Sequence, residues 1–157
     1  MGFLGDVERA LGVWYKDPDS KPRDNDPQVR LAVRQYVIDR LGKDFSCAER
    51  DFVTGEPDLI AMREKDDRKF NLVTLFRSQM FVGDDGEAYL PWTTQETYDK
   101  LCAFEAREGE KITVVICLHG FADRPDFVFA VPLRDAKPDL KKSVLEKYEK
   151  GKKGALL

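Results

Sequence analysis

Asp58 ends the run Gly55-Glu56-Pro57-Asp58 and stands directly before the apolar stretch Leu59-Ile60-Ala61-Met62, so its carboxylate lies at the mouth of a strand. A carboxylate there can serve as a ligand to a hard divalent cation, which takes oxygen donors. Glu49, in the preceding mixed run from Phe45 to Val53, is the candidate for an additional metal ligand. Arg77 closes the apolar run Phe70 to Arg77, where a guanidinium fork suits a phosphate. Arg30 and Arg34, one helical turn apart, could meet further phosphates together with Lys21 and Arg23. Each of these residues also has a plainer reading. Asp58 follows turn-forming residues and could cap a hairpin, Glu49 could lie on a solvated strand face, and the arginines could simply face water. The run Leu72-Val73-Thr74-Leu75-Phe76-Arg77 contains no acid at all.

Other constellations carry less chemistry. His119 is the sole histidine, with Cys117 two residues earlier on the same strand face, and nothing nearby in sequence completes a nucleophilic triad. Gln95 and Tyr98 fit helix capping and core packing as well as a polar site. The basic run Lys141, Lys142, Lys147, Lys150, Lys152 and Lys153 is interleaved with Asp139, Glu146 and Glu149, which blunts its field. No Gly-rich phosphate loop is present.

The elements that must position these residues follow from pattern. Phe3, Val7, Leu11 and Trp14 recur at helical spacing over Phe3 to Tyr15, and the segment from Lys16 to Pro27, with three prolines, reads as an exposed linker. Asp26 before Pro27 opens a helix to about Leu41 that buries Val29, Val33, Tyr36 and Val37 and ends at Gly42. Strands follow at Phe45 to Val53, Asp58 to Arg63 and Phe70 to Arg77, the last buried on both faces and hence central. Thr93 with Glu96 three residues on forms a capping box for a helix to about Arg107, closed by Gly109. Ile112 to Leu118 and Phe127 to Leu133 are further strands, Pro138 to Lys150 a last helix, and residues 151–157 a flexible tail. The expected fold class is α/β, with a mixed sheet of about five strands flanked by helices, because a crossover helix joins parallel strands and short turns join antiparallel ones. The domain reading is an N-terminal helix and linker over 1–26, one α/β domain over 27–150, and the tail.

Composition sets outer limits. The chain has 157 residues, 42% of them hydrophobic, enough for one ordinary core and too few for two independent enzymes. Its net charge of −3 gives no general basic bias toward nucleic acid, so any such binding must be local. The three cysteines, Cys47, Cys102 and Cys117, are widely spaced and without a CxxC pattern, which argues against a disulfide framework or a zinc site and fits a reducing cytoplasm. An acid at position 6 and the lack of long apolar runs lead to the expectation of neither export nor membrane spanning.

With Pro57-Asp58, the acid-free strand and the helix Arg30 to Gly42 in view, the order of elements from Pro27 to Leu133 resembles the PD-(D/E)XK nuclease superfamily. The helix is similar to the first helix of nuclease domains in type I restriction subunits and Holliday junction resolvases. The resemblance implies a restriction-endonuclease-like fold, with Asp58 at the first metal-ligand position. It also implies a second carboxylate and a lysine on one face of the next strand, holding Mg²⁺ for phosphodiester hydrolysis. Here the corresponding pair is either Leu75 and Arg77 or Thr74 and Phe76, and in both the acid is missing. The leading expectation is therefore a nuclease-fold protein with a degraded metal site and no cofactor, acting as an accessory module that binds DNA, RNA or a protein partner. Its surface would lie around Asp58, Arg77 and the helix from Thr93. One alternative is an active Mg²⁺-dependent endonuclease whose missing carboxylate has migrated to Glu49, Glu56 or the Thr93 helix. Another is a purely protein-binding component of a defence or viral system.

Overall fold

The computed structural model describes residues 24–157. The expected helix from Phe3 to Tyr15 and most of the linker, with Lys21 and Arg23, lie outside the described residues. Asp24 to Asp26 form a turn leading into helix α1, Pro27–Leu41. Proline suits the first helical position, and the Asp26 carbonyl accepts the Arg30 amide at 3.0 Å. The Asp26 side chain makes no capping bond, so the backbone alone closes the first turn. Val29, Val33, Val37 and Leu41 form the buried stripe of α1, and Arg34 is buried with them, while Tyr36 is only half-buried.

The chain then lays down β1 (Phe45–Glu49), β2 (Leu59–Arg63) and β3 (Lys69–Arg77), each antiparallel to the one before. The first strand ends at Glu49, and the expected continuation to Val53 is an irregular loop. After two short strands, β4 (Phe81–Val82) and β5 (Ala88–Pro91), helix α2 (Gln95–Glu108) crosses over to β6 (Ile112–Phe121), which runs parallel to β3. Strand β7, Arg124–Pro132, returns antiparallel. The principal sheet has six strands in the order β1-β2-β3-β6-β7-β9, where β9 is the short edge strand Glu149–Lys150. A mixed sheet flanked by helices is thus the architecture, with β3 central as its two-sided burial requires. A second sheet of three strands joins β4 and β5 to β8, Asp139–Lys141.

Period-two alternation divides the core. Leu72 and Phe76 of β3 and Val115 and Cys117 of β6 pack on one face with α1. Leu75, Val114, Ile116 and Leu118 pack on the other with Tyr98, Leu101 and Phe104 of α2 and with the small sheet. Burying such runs on both faces is the main stabilising contribution, at about 25 cal/mol per Å² of apolar surface.

Two expected elements are corrected. The cap of α2 is Thr94, whose Oγ1 accepts the Thr97 amide at 3.1 Å, so the Thr93 and Glu96 box is out of register by one. The expected helix from Pro138 to Lys150 is instead β8, a short helix α3 (Lys142–Lys147) and β9. Leu140 and Leu145 are both buried, and on one continuous helix they would point about 140° apart. Pairing Leu140 with Leu90 across β5 and β8 buries both residues. Beyond Gly151, Leu156 is buried against the α1 side of the sheet. Among the described residues no helix is long and apolar enough to cross a membrane.

Gly55, in the loop between β1 and β2, has φ of +83°, and a Cβ there would lie 2.5 Å from the Lys100 Cβ. The loop can approach α2 this closely only without a side chain. Gly55→Ala is expected to destabilise the fold by about 1–3 kcal/mol, read as a lower denaturant midpoint with an unchanged slope.

Candidate functional site

The site grows from one strand pairing. Asp58 sits just before β2, and its amide donates to the Leu72 carbonyl at 3.0 Å. That contact brings its carboxylate to Thr74: Oδ1 accepts the Thr74 amide at 2.7 Å and Oδ2 accepts the Thr74 hydroxyl at 2.6 Å. Of the two faces of β3, the one carrying Thr74 and Phe76 is therefore turned toward Asp58. Asp58 is 1% exposed and Thr74 equally buried.

Arg34 completes the arrangement from α1. Its Nη1 donates to the Arg50 carbonyl at 2.7 Å and to the Asp58 carbonyl at 3.2 Å, and lies 3.9 Å from Asp58 Oδ2. Its Nε meets Glu49 Oε1 at 3.2 Å. The buried guanidinium thus lies between two carboxylates, those of Glu49 and Asp58. Arg30, one turn earlier, places its guanidinium 3.9 Å from the centre of the Phe52 ring, and that of Arg34 lies 4.2 Å from the same ring. Burial pushes the Asp58 carboxyl above its ordinary 3.8, opposed by the two Thr74 bonds and then by Arg34 and Arg30. Burial also lowers the Arg30 guanidinium, with Asp58 opposing and Arg34 reinforcing the shift.

The sequence-derived candidates separate in space. Asp58, Glu49 and Arg34 come together, with Arg30 beside them. Arg77 does not join Asp58, because two-residue alternation turns it to the opposite face of β3 from Thr74 and Phe76. Its guanidinium donates to Asn25 Oδ1 at 3.1 Å, the Phe76 carbonyl at 2.7 Å and the Trp92 carbonyl at 2.6 Å, tying the turn before α1 to the segment before α2. Burial lowers its pKa, an effect that Asp24 opposes. Glu56 pairs with Arg50 at 3.6 Å. Gln95 bonds Asp99 on the surface of α2, and the Tyr98 hydroxyl donates to the buried Leu133 carbonyl at 2.8 Å. His119 has its Nδ1 2.6 Å from the Ser78 carbonyl oxygen, and burial pushes the Cys117 thiol up to about 12, which leaves it no nucleophile at neutral pH.

These donors do not fit Mg²⁺. A hard cation wants several free oxygens, yet both oxygens of the buried Asp58 carboxylate already accept hydrogen bonds, its neighbour Thr74 is uncharged, and a guanidinium already supplies positive charge. Among the described residues no group of three or more His, Cys, Asp or Glu side chains could hold a metal.

Beside this centre a cleft of about 750 Å³ opens at the C-terminal end of β3. Arg30, Thr74 and the Val53 to Glu56 loop form one wall, and Trp92 with Thr93, Thr94 and Thr97 at the start of α2 forms the other. Phe52, Gln79 and Trp92 were not among the sequence candidates. In the chain the one hint to Phe52 is its place three residues past Glu49.

The fold has a counterpart among solved structures. The Holliday junction resolvase of Archaeoglobus fulgidus, an archaeal hyperthermophile, superposes with a TM-score of 0.51 at 14% identity, covering 77% of this chain and 89% of that one. The two share a fold. No protein-family model matches the sequence, and no curated protein matches it either.

Replacing Asp58 by Ala leaves the buried Thr74 amide and hydroxyl without an acceptor and removes one of the two carboxylates beside Arg34, and an equilibrium unfolding loss of about 3 kcal/mol is expected. The pH dependence has a definite sign. Because the folded pKa is raised, the contribution of this carboxyl is complete below 3.8 and is lost as pH climbs through the folded value. The stability gap between the wild type and Asp58→Asn should therefore narrow as pH rises from about 4 toward neutrality. A gap that widens would show that the ionised form is favoured by the fold.

Proposed function

We propose that this chain is a metal-independent accessory module that uses a resolvase-like fold to bind nucleic acid rather than to cut it. One observation carries the reading: the carboxylate at the first metal-ligand position is satisfied by Thr74, while Arg34 places a fixed cation against it. An arginine delivers positive charge without the open coordination positions that would activate water. What supports binding is the cleft next to this centre. Arg30 lines it with a guanidinium that makes no side-chain hydrogen bond to another described residue, and Arg77 lends charge at its far end. With a net charge of −3, such local cations are the part of the molecule suited to phosphate.

Labelled DNA and RNA should remain intact with Mg²⁺ or Mn²⁺, and neither ion should raise the melting temperature. Cutting that disappears in Asp58→Ala would instead support an active enzyme with a migrated carboxylate. Binding should weaken with salt, and Arg30→Ala should weaken it on every sequence alike while flattening the slope of log K against log salt by about one. Failure to bind any nucleic acid at low salt, alongside a stable complex with a protein partner, would remove the reading.

A further inference from the structure

Gln79 follows β3 at the foot of the cleft. The residue is 8% exposed and lines the cavity, and its buried Oε1 has no hydrogen-bond partner among the described residues. A buried amide oxygen without a donor costs about 1–3 kcal/mol, so its retention points to a ligand that supplies the missing N–H. The surroundings narrow the ligand. Phe81, half-buried and packed at 6.2 Å against Tyr89, also lines the cleft and offers an aromatic surface. Arg30 stands in the cleft wall, and Thr94 and Thr97 bring the N-terminus of the 14-residue helix α2 to the opposite side. There the amides of the first turn and the helix dipole favour an anion.

We infer that the cleft receives a single unpaired nucleotide of a nucleic-acid strand, its base edge on the Gln79 amide and against Phe81, and its phosphate between Arg30 and the start of α2. The inference rests on the nucleic-acid reading above and specifies the form of the strand. Duplex bases present their edges on the floors of grooves, where protruding side chains read them. A recessed amide can reach only a base that has left the stack. The amide presents both an acceptor and donors, and a base with an exocyclic amino group supplies the N–H that Oε1 needs. Stacking on an aromatic ring tolerates any base, and so favours single strands generally.

The test is fluorescence anisotropy of the full chain with labelled single-stranded DNA, the matching duplex and a four-way junction, for the wild type, Gln79→Leu and Phe81→Ala. The single strand should bind more tightly than the fully paired duplex, and each substitution should weaken single-strand binding roughly tenfold while leaving duplex binding little changed. Thermal unfolding separates a binding role from a structural one. Gln79→Leu removes an unpaired polar group, so it should melt at or above the wild-type temperature. A clear drop in its melting temperature overturns the inference by making the amide part of the core. Equal binding of single strand and duplex, unaffected by Gln79→Leu, also overturns it while leaving the nucleic-acid reading intact. No binding of any of the three probes removes both.

Discussion

The burial of the Arg34 guanidinium is the constraint around which the rest of the site is arranged. A charge taken out of water is costly unless its donors are filled and an opposite charge is near. Arg34 meets both conditions by drawing on three separate segments: α1 carries it, Glu49 ends β1, and Arg50 and Asp58 bracket the loop to β2. The helix is thereby pinned to the β1–β2 hairpin at one azimuth. Arg30 is held beside Phe52 as a consequence, since residues four apart on a helix share a face.

The same arrangement sets the electrostatics around Asp58. The strand geometry that brings a carboxylate against the next strand is retained, but the neighbouring position is Thr74, whose amide and hydroxyl satisfy both oxygens. A metal centre is an excess of negative oxygens stabilised by an added cation. In this chain the Arg34 guanidinium of α1 lies against the Glu49 and Asp58 carboxylates and offsets their charge. The pairing forms a permanent, buried electrostatic anchor.

The cleft follows from packing on the other side of β3. Arg77 spends its hydrogen bonds on the carbonyls and amide oxygen that join the turn at Asn25 to Trp92, and so holds the mouth of the cleft in shape. Trp92 is fixed in turn by its indole N–H, which donates to the Ala136 and Lys137 carbonyls. Gly55 allows the opposite wall to come against Lys100. The walls thus belong to rigid elements, and Gln79 Oε1 and Asp24 Oδ1 are the two buried polar atoms of the lining without a hydrogen-bond partner among the described residues.

Much of the framework was legible in the chain itself. Proline after Asp26, glycines at 42 and 109, and continuous apolar runs at β3 and β6 specify where α1 and α2 begin or end and which strands are central, because these are local preferences of backbone and burial. The absence of an acid between Leu72 and Arg77 was equally plain. What the sequence left open were choices that depend on partners distant in the chain. Whether Asp58 faces Thr74 or Leu75 depends on strand register. Whether Arg34 faces water or the core depends on the carbonyls that await it, 16 and 24 residues further on. Whether Leu140 belongs to a helix or a strand depends on Leu90 lying opposite. Local propensity differs by less than about 1 kcal/mol per residue between such alternatives, whereas burying a charge or a leucine is worth more, so the tertiary contacts decided them.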